Sequence, residues 1–372
     1  MILKELKLLK FRRYSDRYFQ FNQNINFISG INGSGKTSVL EAIHYLSLTK
    51  SFRTNINSEA INDGQKYFQI FGNFLNKQSL GLLINLNYSR TDGKRVIVNG
   101  IPETRVSDHI GKIPIVILSP DSVHVTDGTQ SERRSFIDKI LSQAFQEYFV
   151  NLLEFRRRLS ARNQTLIDYF KKGKNHYDAF FESQDELLVQ YALKIHTYRM
   201  GFQREFNLIF QDYFRQFSHI SKTVEFRIIP NIEADDEEKY EGFCLRRLKE
   251  NFRRDLISGR TSTGPQYDEI KIILGEHDIK PFGSQGEHKI TQIALIFAEG
   301  KYLEKIKDEP VIYLLDDLFA YLDARHCQKI VDFIGKHNQV FITATDVKET
   351  LQYGFEKLKD AMVIDIGEGK IK

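Results

Sequence analysis

Gly30-Ile31-Asn32-Gly33-Ser34-Gly35-Lys36-Thr37 fits the phosphate-binding loop pattern G-x-x-x-x-G-K-S/T at every constrained position. Its flanks supply the setting such a loop needs. Asn26-Phe27-Ile28-Ser29 is a short apolar run that reads as a buried strand, and residues Ser38 to Leu46 carry apolar side chains at helical spacing. In the order strand, loop, helix, the glycines let the backbone curl so that successive N–H groups point inward at phosphate oxygens. The positive end of the following helix adds to that field. Gly30, Ile31, Asn32, Gly33, Ser34, Gly35, Lys36, Thr37 and Ser38 are therefore the expected nucleotide contacts, with Lys36 reaching the outer phosphates and Thr37 ligating Mg²⁺.

Hydrolysis needs more than a loop: the metal shell must be completed and a water activated. Val311-Ile312-Tyr313-Leu314-Leu315-Asp316-Asp317 is an apolar strand that delivers two acids at its C-terminal end. Asp316 suits the Mg²⁺ shell, and Asp317 is expected to point at the attacking water, which makes Lys36 and Asp317 the candidate catalytic residues. Leu322-Asp323, a little further on, could form a loop lying across a partner subunit. A second glycine-rich element, Phe282-Gly283-Ser284-Gln285-Gly286-Glu287, precedes a predicted helix from Lys289 to Leu303. Ser284 and Gly286, with exposed backbone amides at a helix N-terminus, would make another anion receptor. Two receptors in one chain cannot easily share one γ-phosphate unless two chains meet face to face, which argues for an ATP-dependent homodimer.

The rest of the chain is read by what it does for this site. The 372 residues are 41% hydrophobic and 27% charged, ordinary for a soluble globular protein, with room for two structural units. No apolar run is long enough to span a bilayer and no signal peptide opens the chain, so the expectation is a cytoplasmic protein with no membrane partner. Cys244 and Cys327 are far apart and outside any C-x-x-C, so each reads as a buried small apolar residue. A net charge of +4 permits a polyanionic partner without demanding one.

Leu3, Leu6, Leu8 and Phe11 read as an edge strand ahead of the basic turn Arg12-Arg13-Tyr14. Three strand-like runs follow at Tyr67 to Leu75, Leu80 to Tyr88 and Arg95 to Val98, the last ending in the tight-hairpin signal Asn99-Gly100. Ile113 to Leu118 is a further buried strand. From Ile137 to Leu159, and again from Leu188 to Phe217, apolar residues alternate four and three apart, which predicts two long helices that fold back antiparallel around the break at Lys171-Lys172-Gly173-Lys174. A shorter helix is expected at Leu245 to Leu256. Strands are expected at Glu269 to Leu274, Gln339 to Thr343 and Met362 to Ile366, the last in a hairpin with Gly367-Glu368-Gly369. The α/β material is thus split by a helical insertion: residues 1–120 and 260–372 form a head with a small β subdomain near 65–105, and 121–259 form a helical arm or lid.

The phosphate loop, Asp-Asp strand end, S-Q-G element and Leu-Asp loop, in that ensemble, resemble the ABC-type ATPases of the SMC/Rad50 group, and within it the RecF family of recombination mediators. The strings F-R-R-Y (Phe11 to Tyr14), K-S-F-R (Lys50 to Arg53), L-S-P-D-S (Leu118 to Ser122), R-R-S-F-I-D (Arg133 to Asp138) and T-S-T-G-P (Thr261 to Pro265) carry the likeness over nearly the whole chain. The resemblance implies an α/β P-loop ABC-type ATPase head with an inserted antiparallel helical arm, ATP and Mg²⁺ as cofactors, and ATP-driven dimerisation on DNA. It also implies weak DNA-stimulated ATP hydrolysis used as a switch, and work with RecO and RecR in loading RecA at gaps or junctions between single- and double-stranded DNA. Where the family reads S-Q-G-Q-Q-R this chain has S-Q-G-E-H-K, placing Glu287 and Lys289 at an amide and an arginine. Ala320 stands for a serine and Tyr321 for an acid, and Gly264 to Glu269 reads G-P-Q-Y-D-E for G-P-H-R-D-D. Dimer strength and hydrolysis rate are the properties these changes touch.

Other readings stay open on the residues themselves. A P-loop kinase would need an acceptor site and lid, a GTPase would need N-K-x-D, and a Rad50-like head would need a longer coiled coil with a C-x-x-C hook. A pseudo-ATPase scaffold is compatible with Asp317 in place of a longer glutamate. For DNA, Arg156-Arg157-Arg158 with Arg162, and Arg246-Arg247 with Arg253-Arg254, are basic clusters on predicted helices. Glu147, Glu154 and Glu250 at helical spacing offer them an intramolecular alternative.

Overall fold

A computed structural model of the chain describes residues 1–119, 125–218, 221–234, 236–317, 330, 338–345 and 361–367. The chain divides into two units: Met1–His124 with Tyr213–His219 and Lys289–Lys372, and Val125–Asp212 with Ile220–His288. In chain order the strands are β1 (Ile2–Phe11), β2 (Tyr14–Gln20), β3 (Ile25–Ser29), β4 (Tyr67–Leu75), β5 (Gly81–Ser89), β6 (Gly93–Val98), β7 (Ile101–Pro102) and β8 (Ile115–Leu118). They continue with β9 (Val224–Ile229), β10 (Glu269–Leu274), β11 (His277–Asp278), β12 (Ile312–Leu315), β13 (Val340–Ala344) and β14 (Met362–Asp365).

The first unit holds two sheets. One is parallel throughout, in the order β14-β3-β13-β12-β8. Every residue of β3, β8, β12 and β13 is buried, which is why these strands read as continuous apolar runs without alternation. The strand expected at Met362 to Ile366 is found over Met362–Asp365 and pairs in parallel with Ile25–Ser29, while Glu368 and Gly369 of the expected terminal hairpin lie outside the described residues. A strand at that position pairs with a neighbour far away in sequence, which a local turn signal cannot reveal.

The second sheet is antiparallel, in the order β2-β1-β4-β5-β6-β7. Leu3 to Phe11, expected at an edge, is paired on both sides, and the strands of the expected β subdomain near 65–105 form one sheet with β1 and β2. Asn99 (φ 49°) and Gly100 (φ 83°) make the β6–β7 turn with both residues left-handed, as the hairpin signal requires. Helix Lys36–Leu48 packs its Val39, Leu40, Ile43 and Leu46 into one core with Leu6, Phe68, Ile70, Leu314 and Phe341. Gly72 lets the helix approach: a Cβ there would stand 2.5 Å from Leu46 Cδ1.

The second unit contains helices Gln130–Ala144 and Gln146–Lys171, most of helix Ala179–Phe217, helices Glu237–Glu250 and Phe252–Ser258, and the sheet β11-β10-β9. The single helix expected over Ile137 to Leu159 is broken at Phe145, whose backbone is extended (φ −131°, ψ 114°) and whose ring packs 5.1 Å from Tyr198. One extended residue shifts the helical phase too little to erase the apolar periodicity. Helices Gln146–Lys171 and Ala179–Phe217 run antiparallel: Glu147 meets Tyr198 near one end and Arg162 meets Asp185 near the other. β9 was not anticipated, although Val224, Phe226 and Ile228 alternate with polar residues. It pairs with β10 and so brings residues 260–288, expected in the head, into this unit.

Arg162 shows what orders the helices. It is 1% exposed and holds Asp185 (2.5 Å), Asp255 (3.2 Å) and the Thr261 hydroxyl (2.9 Å). Arg199, also buried, spans Asp138 (2.8 Å) and Asp268 (2.7 Å), and Tyr148 donates its hydroxyl to Asp138 at 2.6 Å. Each buried charge is satisfied by an opposite charge and further hydrogen bonds, the condition under which such groups are tolerated in a core.

Candidate nucleotide-binding site

The C-terminal ends of the parallel strands converge on one edge, where an open α/β sheet places its ligands. Ser29 at the end of β3 leads into the loop, and the loop passes into helix Lys36–Leu48 at Gly35. Gly35 is left-handed (φ 104°), and a Cβ there would lie 2.6 Å from Arg13 Cδ and 2.8 Å from the Tyr14 hydroxyl, so both conformation and space demand glycine. As the first helical residues, Lys36 and Thr37 carry N–H groups with no acceptor inside the helix. The Ser34 hydroxyl is buried without a partner in the same loop. Two unspent amides beside an orphaned hydroxyl suit an oxyanion ligand.

The two acids sit where the sequence places them. Asp316 Oδ1 accepts from the Thr37 hydroxyl at 3.1 Å and from the Thr343 hydroxyl at 2.7 Å, and Thr343 Oγ1 accepts in turn from the Asp317 amide at 2.8 Å. β12, which carries the acids, is separated from β3 by β13, so Thr343 of that intervening strand ties the loop side to the acid side. Thr343 was legible only as the last residue of an apolar strand. Asp316 is 8% exposed; burial raises its carboxyl above the ordinary range and the Asp317 charge adds to this, against the hydrogen bonds from Thr343 and Thr37. The Lys36 ammonium donates to the Gly30 (2.6 Å) and Ile31 (3.2 Å) carbonyls, and burial lowers its pKa against the pull of Asp317 and Asp316. Asp317 is exposed and left-handed (φ 52°), a conformation aspartate adopts more readily than most residues.

These groups line a cleft of about 500 Å³ that also includes Asn32, Ser38, Arg13 and Arg53. The roles of both arginines were unassigned from sequence. Arg13 donates to the Gly33 carbonyl, and Arg53 lies 3.8 Å from Glu41. Glu41, fully buried on the phosphate-loop helix, also takes a two-pronged contact from Arg12 (2.8 and 2.6 Å) and the Ser51 hydroxyl (2.5 Å), so one acid organises both basic strings.

Ser284 and Gly286 belong to the second unit, at the start of helix Gln285–Lys307, which begins earlier than expected. Ser284 is exposed, but its amide is not free: it donates to Glu287 Oε2 at 2.9 Å, while the Glu287 amide donates to Ser284 Oγ at 3.3 Å. This is a capping box, which satisfies two orphan donors reciprocally. Lys222 holds the other carboxylate oxygen at 2.8 Å, and with the Ser284 groups it keeps the Glu287 carboxyl down at about 2. Asp268, in the G-P-Q-Y-D-E string, is likewise engaged internally by Arg199 and the Asn231 amide. Asp121, Ala320, Tyr321, Leu322, Asp323 and Cys327 lie outside the described residues, and Cys244 is buried as expected.

The helical basic clusters are largely neutralised. Arg162 is buried, Arg156 pairs with Asp138, Arg157 and Arg158 with Glu154, and Arg246 with Glu250. No helix among the described residues is long and apolar enough to cross a membrane.

A phosphate loop at the edge of a parallel sheet, facing an acid-bearing strand one position removed, defines a P-loop ATPase of the ABC-type head class. A family model described as "AAA ATPase domain" matches residues 1–258. The solved SMC head of Pyrococcus furiosus bound to the C-terminal domain of ScpA shares the fold (TM-score 0.58, 19% identity, 100% of this chain and 95% of that one). The DNA replication and repair protein RecF of Salinibacter ruber is 33% identical over 93% of this chain and 85% of its own length. A structure of the recombination mediator protein RecF with ATPrS superposes with a TM-score of 0.90 at 25% identity, covering 100% of this chain and 97% of that one. The chain belongs to the RecF family of DNA replication and repair proteins.

Proposed function

We propose that this chain is an ATP-dependent DNA-binding protein of recombinational repair and replication, in which bound nucleotide controls dimerisation on DNA and so helps load a recombinase at gaps. The observation that carries this reading is the Thr37–Asp316–Thr343 hydrogen-bond chain, which joins the phosphate loop to the acid-bearing strand. Gly30 to Ser38 cradle the triphosphate and Lys36 reaches its outer phosphates. Thr37 and Asp316 are oxygen donors suited to Mg²⁺, which when bound neutralises charge on the phosphate oxygens. Asp317 orients and deprotonates the attacking water; its short reach makes hydrolysis slow, as befits a switch with no chemistry on the DNA. Ser284 and Gly286 of a second copy complete the site, and Glu287 must give up Ser284 for this to happen. RecR and RecO, and RecA through them, are the partners that membership of the family suggests; one solved relative is named with ATP in the RecFOR pathway.

Light scattering tests the switch. Saturating ATP with Mg²⁺ moves the chain from monomer to dimer, and the dimer prefers gapped over fully duplex DNA. A chain that stays monomeric overturns the dimer mechanism, and equal affinity for both DNAs removes the gap role.

Asp316→Asn separates stability from function. Because the folded carboxyl holds its proton more tightly than the unfolded one, the folded state binds more protons, and stability falls as pH rises from the unfolded pKa through the raised folded one. Asparagine keeps an acceptor for both threonines and removes the buried charge. The variant melts at or above the wild-type temperature near neutral pH, with a flatter acid-side dependence, yet its Mg²⁺-dependent nucleotide affinity falls about tenfold or more. A lower melting temperature at unchanged affinity would mean that Asp316 is a structural acid only.

A further inference from the structure

The antiparallel sheet of the first unit turns Phe68, Ile70, Ile84, Leu86, Val96 and Val98 inward. Strand alternation therefore sends the intervening residues to the opposite face. Register aligns these into rows across four strands: Leu9, Gln69, Asn87 and Arg95 in one, and Lys7, Phe71, Asn85 and Ile97 in the next. Two cavities open on this face. One, of about 710 Å³, is lined by Lys66, Tyr67, Gln69, Asn87, Arg90 and Arg95 among others; a second, of about 350 Å³, includes Lys7, Phe71, Asn85 and Ile97. The face is open, with Leu83 56% exposed on it.

Three properties point to one kind of occupant. Lys66, Arg90 and Arg95 are exposed; the charge of Arg95 acts on Asp92, so three cations face one acid around this cavity. Asp92, the acid of the same turn, is held by the Ser89 and Thr91 hydroxyls, so the cavity rim is net positive, unlike the neutralised helical clusters of the second unit. The floors are aromatic: Tyr67 in the larger cavity, with Lys10 Nζ 4.2 Å from its ring centroid, and Phe71 in the smaller one, which Glu5 and Lys7 also line. The side-chain oxygens of Asn85 and Asn87 are buried without a donor, a cost that a ligand carrying amino or imino groups would relieve. A polyanion whose bases are free to meet an apolar floor and amide acceptors fits all three. A duplex, with its bases stacked inside, fits only the first.

We infer that this outer sheet face binds single-stranded DNA, with Lys66, Arg90 and Arg95 on the phosphates and Tyr67 and Phe71 under the bases. The inference rests on the DNA-binding reading above and adds to it a place and a strand type: the single-stranded side of a gap is held by the head's sheet, away from the nucleotide cleft.

The test is anisotropy of a fluorescent oligo-dT with the full-length chain over a salt series. Arg90→Glu with Arg95→Glu lowers single-strand affinity more than about tenfold and flattens the log–log salt slope by roughly 0.7 for each phosphate no longer neutralised. Tyr67→Ala weakens binding roughly tenfold with the slope nearly unchanged, because stacking is not a counterion effect. Arg157→Glu serves as a surface control and stays near wild type. Melting temperature and nucleotide affinity unchanged in every variant show that the fold is intact. Wild-type chain that binds gapped DNA while both sheet variants bind oligo-dT as it does overturns this surface alone, and leaves the face to an acidic protein partner. Wild-type chain that binds no DNA in any form, with or without ATP, overturns the DNA-binding reading together with it.

Discussion

Lys36→Ala lowers affinity for a fluorescent ATP analogue by about 100-fold, and the proposed ATP-dependent dimer is lost with it. The size follows from the kind of bond removed: hydrogen bonds to charged groups are worth about 1.5–3 kcal/mol each, and a triphosphate offers this ammonium more than one oxygen. The fold does not depend on the side chain. Its hydrogen bonds run to the Gly30 and Ile31 carbonyls of the loop itself, and helix Lys36–Leu48 is anchored instead by Val39, Leu40, Ile43 and Leu46. The melting temperature therefore stays within a degree or two of wild type. Equilibrium titration beside a thermal melt checks both halves; unaltered nucleotide affinity would place the triphosphate somewhere other than this loop.

Arg162→Ala has the largest effect expected on stability. The substitution leaves Asp185 and Asp255, both fully buried, without their shared cation, and takes a donor from Thr261. Breaking a buried pair by removing one partner costs about 3–5 kcal/mol because the remaining charge is uncompensated. Here two carboxylates are stranded, so the upper part of that range applies. Arg157→Ala, whose side chain is 70% exposed and pairs with Glu154, should change stability by less than about 0.5 kcal/mol. Urea denaturation of the two variants side by side makes the comparison. Equal, small losses would mean that the buried network contributes little to holding the helices together.

These two arginines look alike in sequence: both lie in one basic stretch of one helix. Helical periodicity fixes which residues share a face, but not what that face meets. Arg162 turned inward because Asp185 and Asp255 arrive from segments 23 and 93 residues away. The same limit applies to Glu287. Its spacing from Ser284 fits a capping box, yet the partner on its other oxygen, Lys222, comes from far earlier in the chain. β14 behaves likewise, since nothing in Met362–Asp365 says that its neighbour is Ile25–Ser29.

What the sequence determined by itself was local chemistry. The phosphate loop, its strand and helix, the paired acids at the end of a buried strand and the Asn99-Gly100 turn all depend on backbone conformation and on periodicity over a few residues, and these travel with the residues themselves. Only the tertiary structure decided that Thr343 bridges Asp316 to Asp317, that Glu41 gathers Arg12, Arg53 and Ser51 behind the loop, and that residues 260–288 join the helical unit through β9. Each of these brings together groups from different elements, and such pairings are selected by the burial and charge satisfaction of the whole core, which no short window of sequence contains.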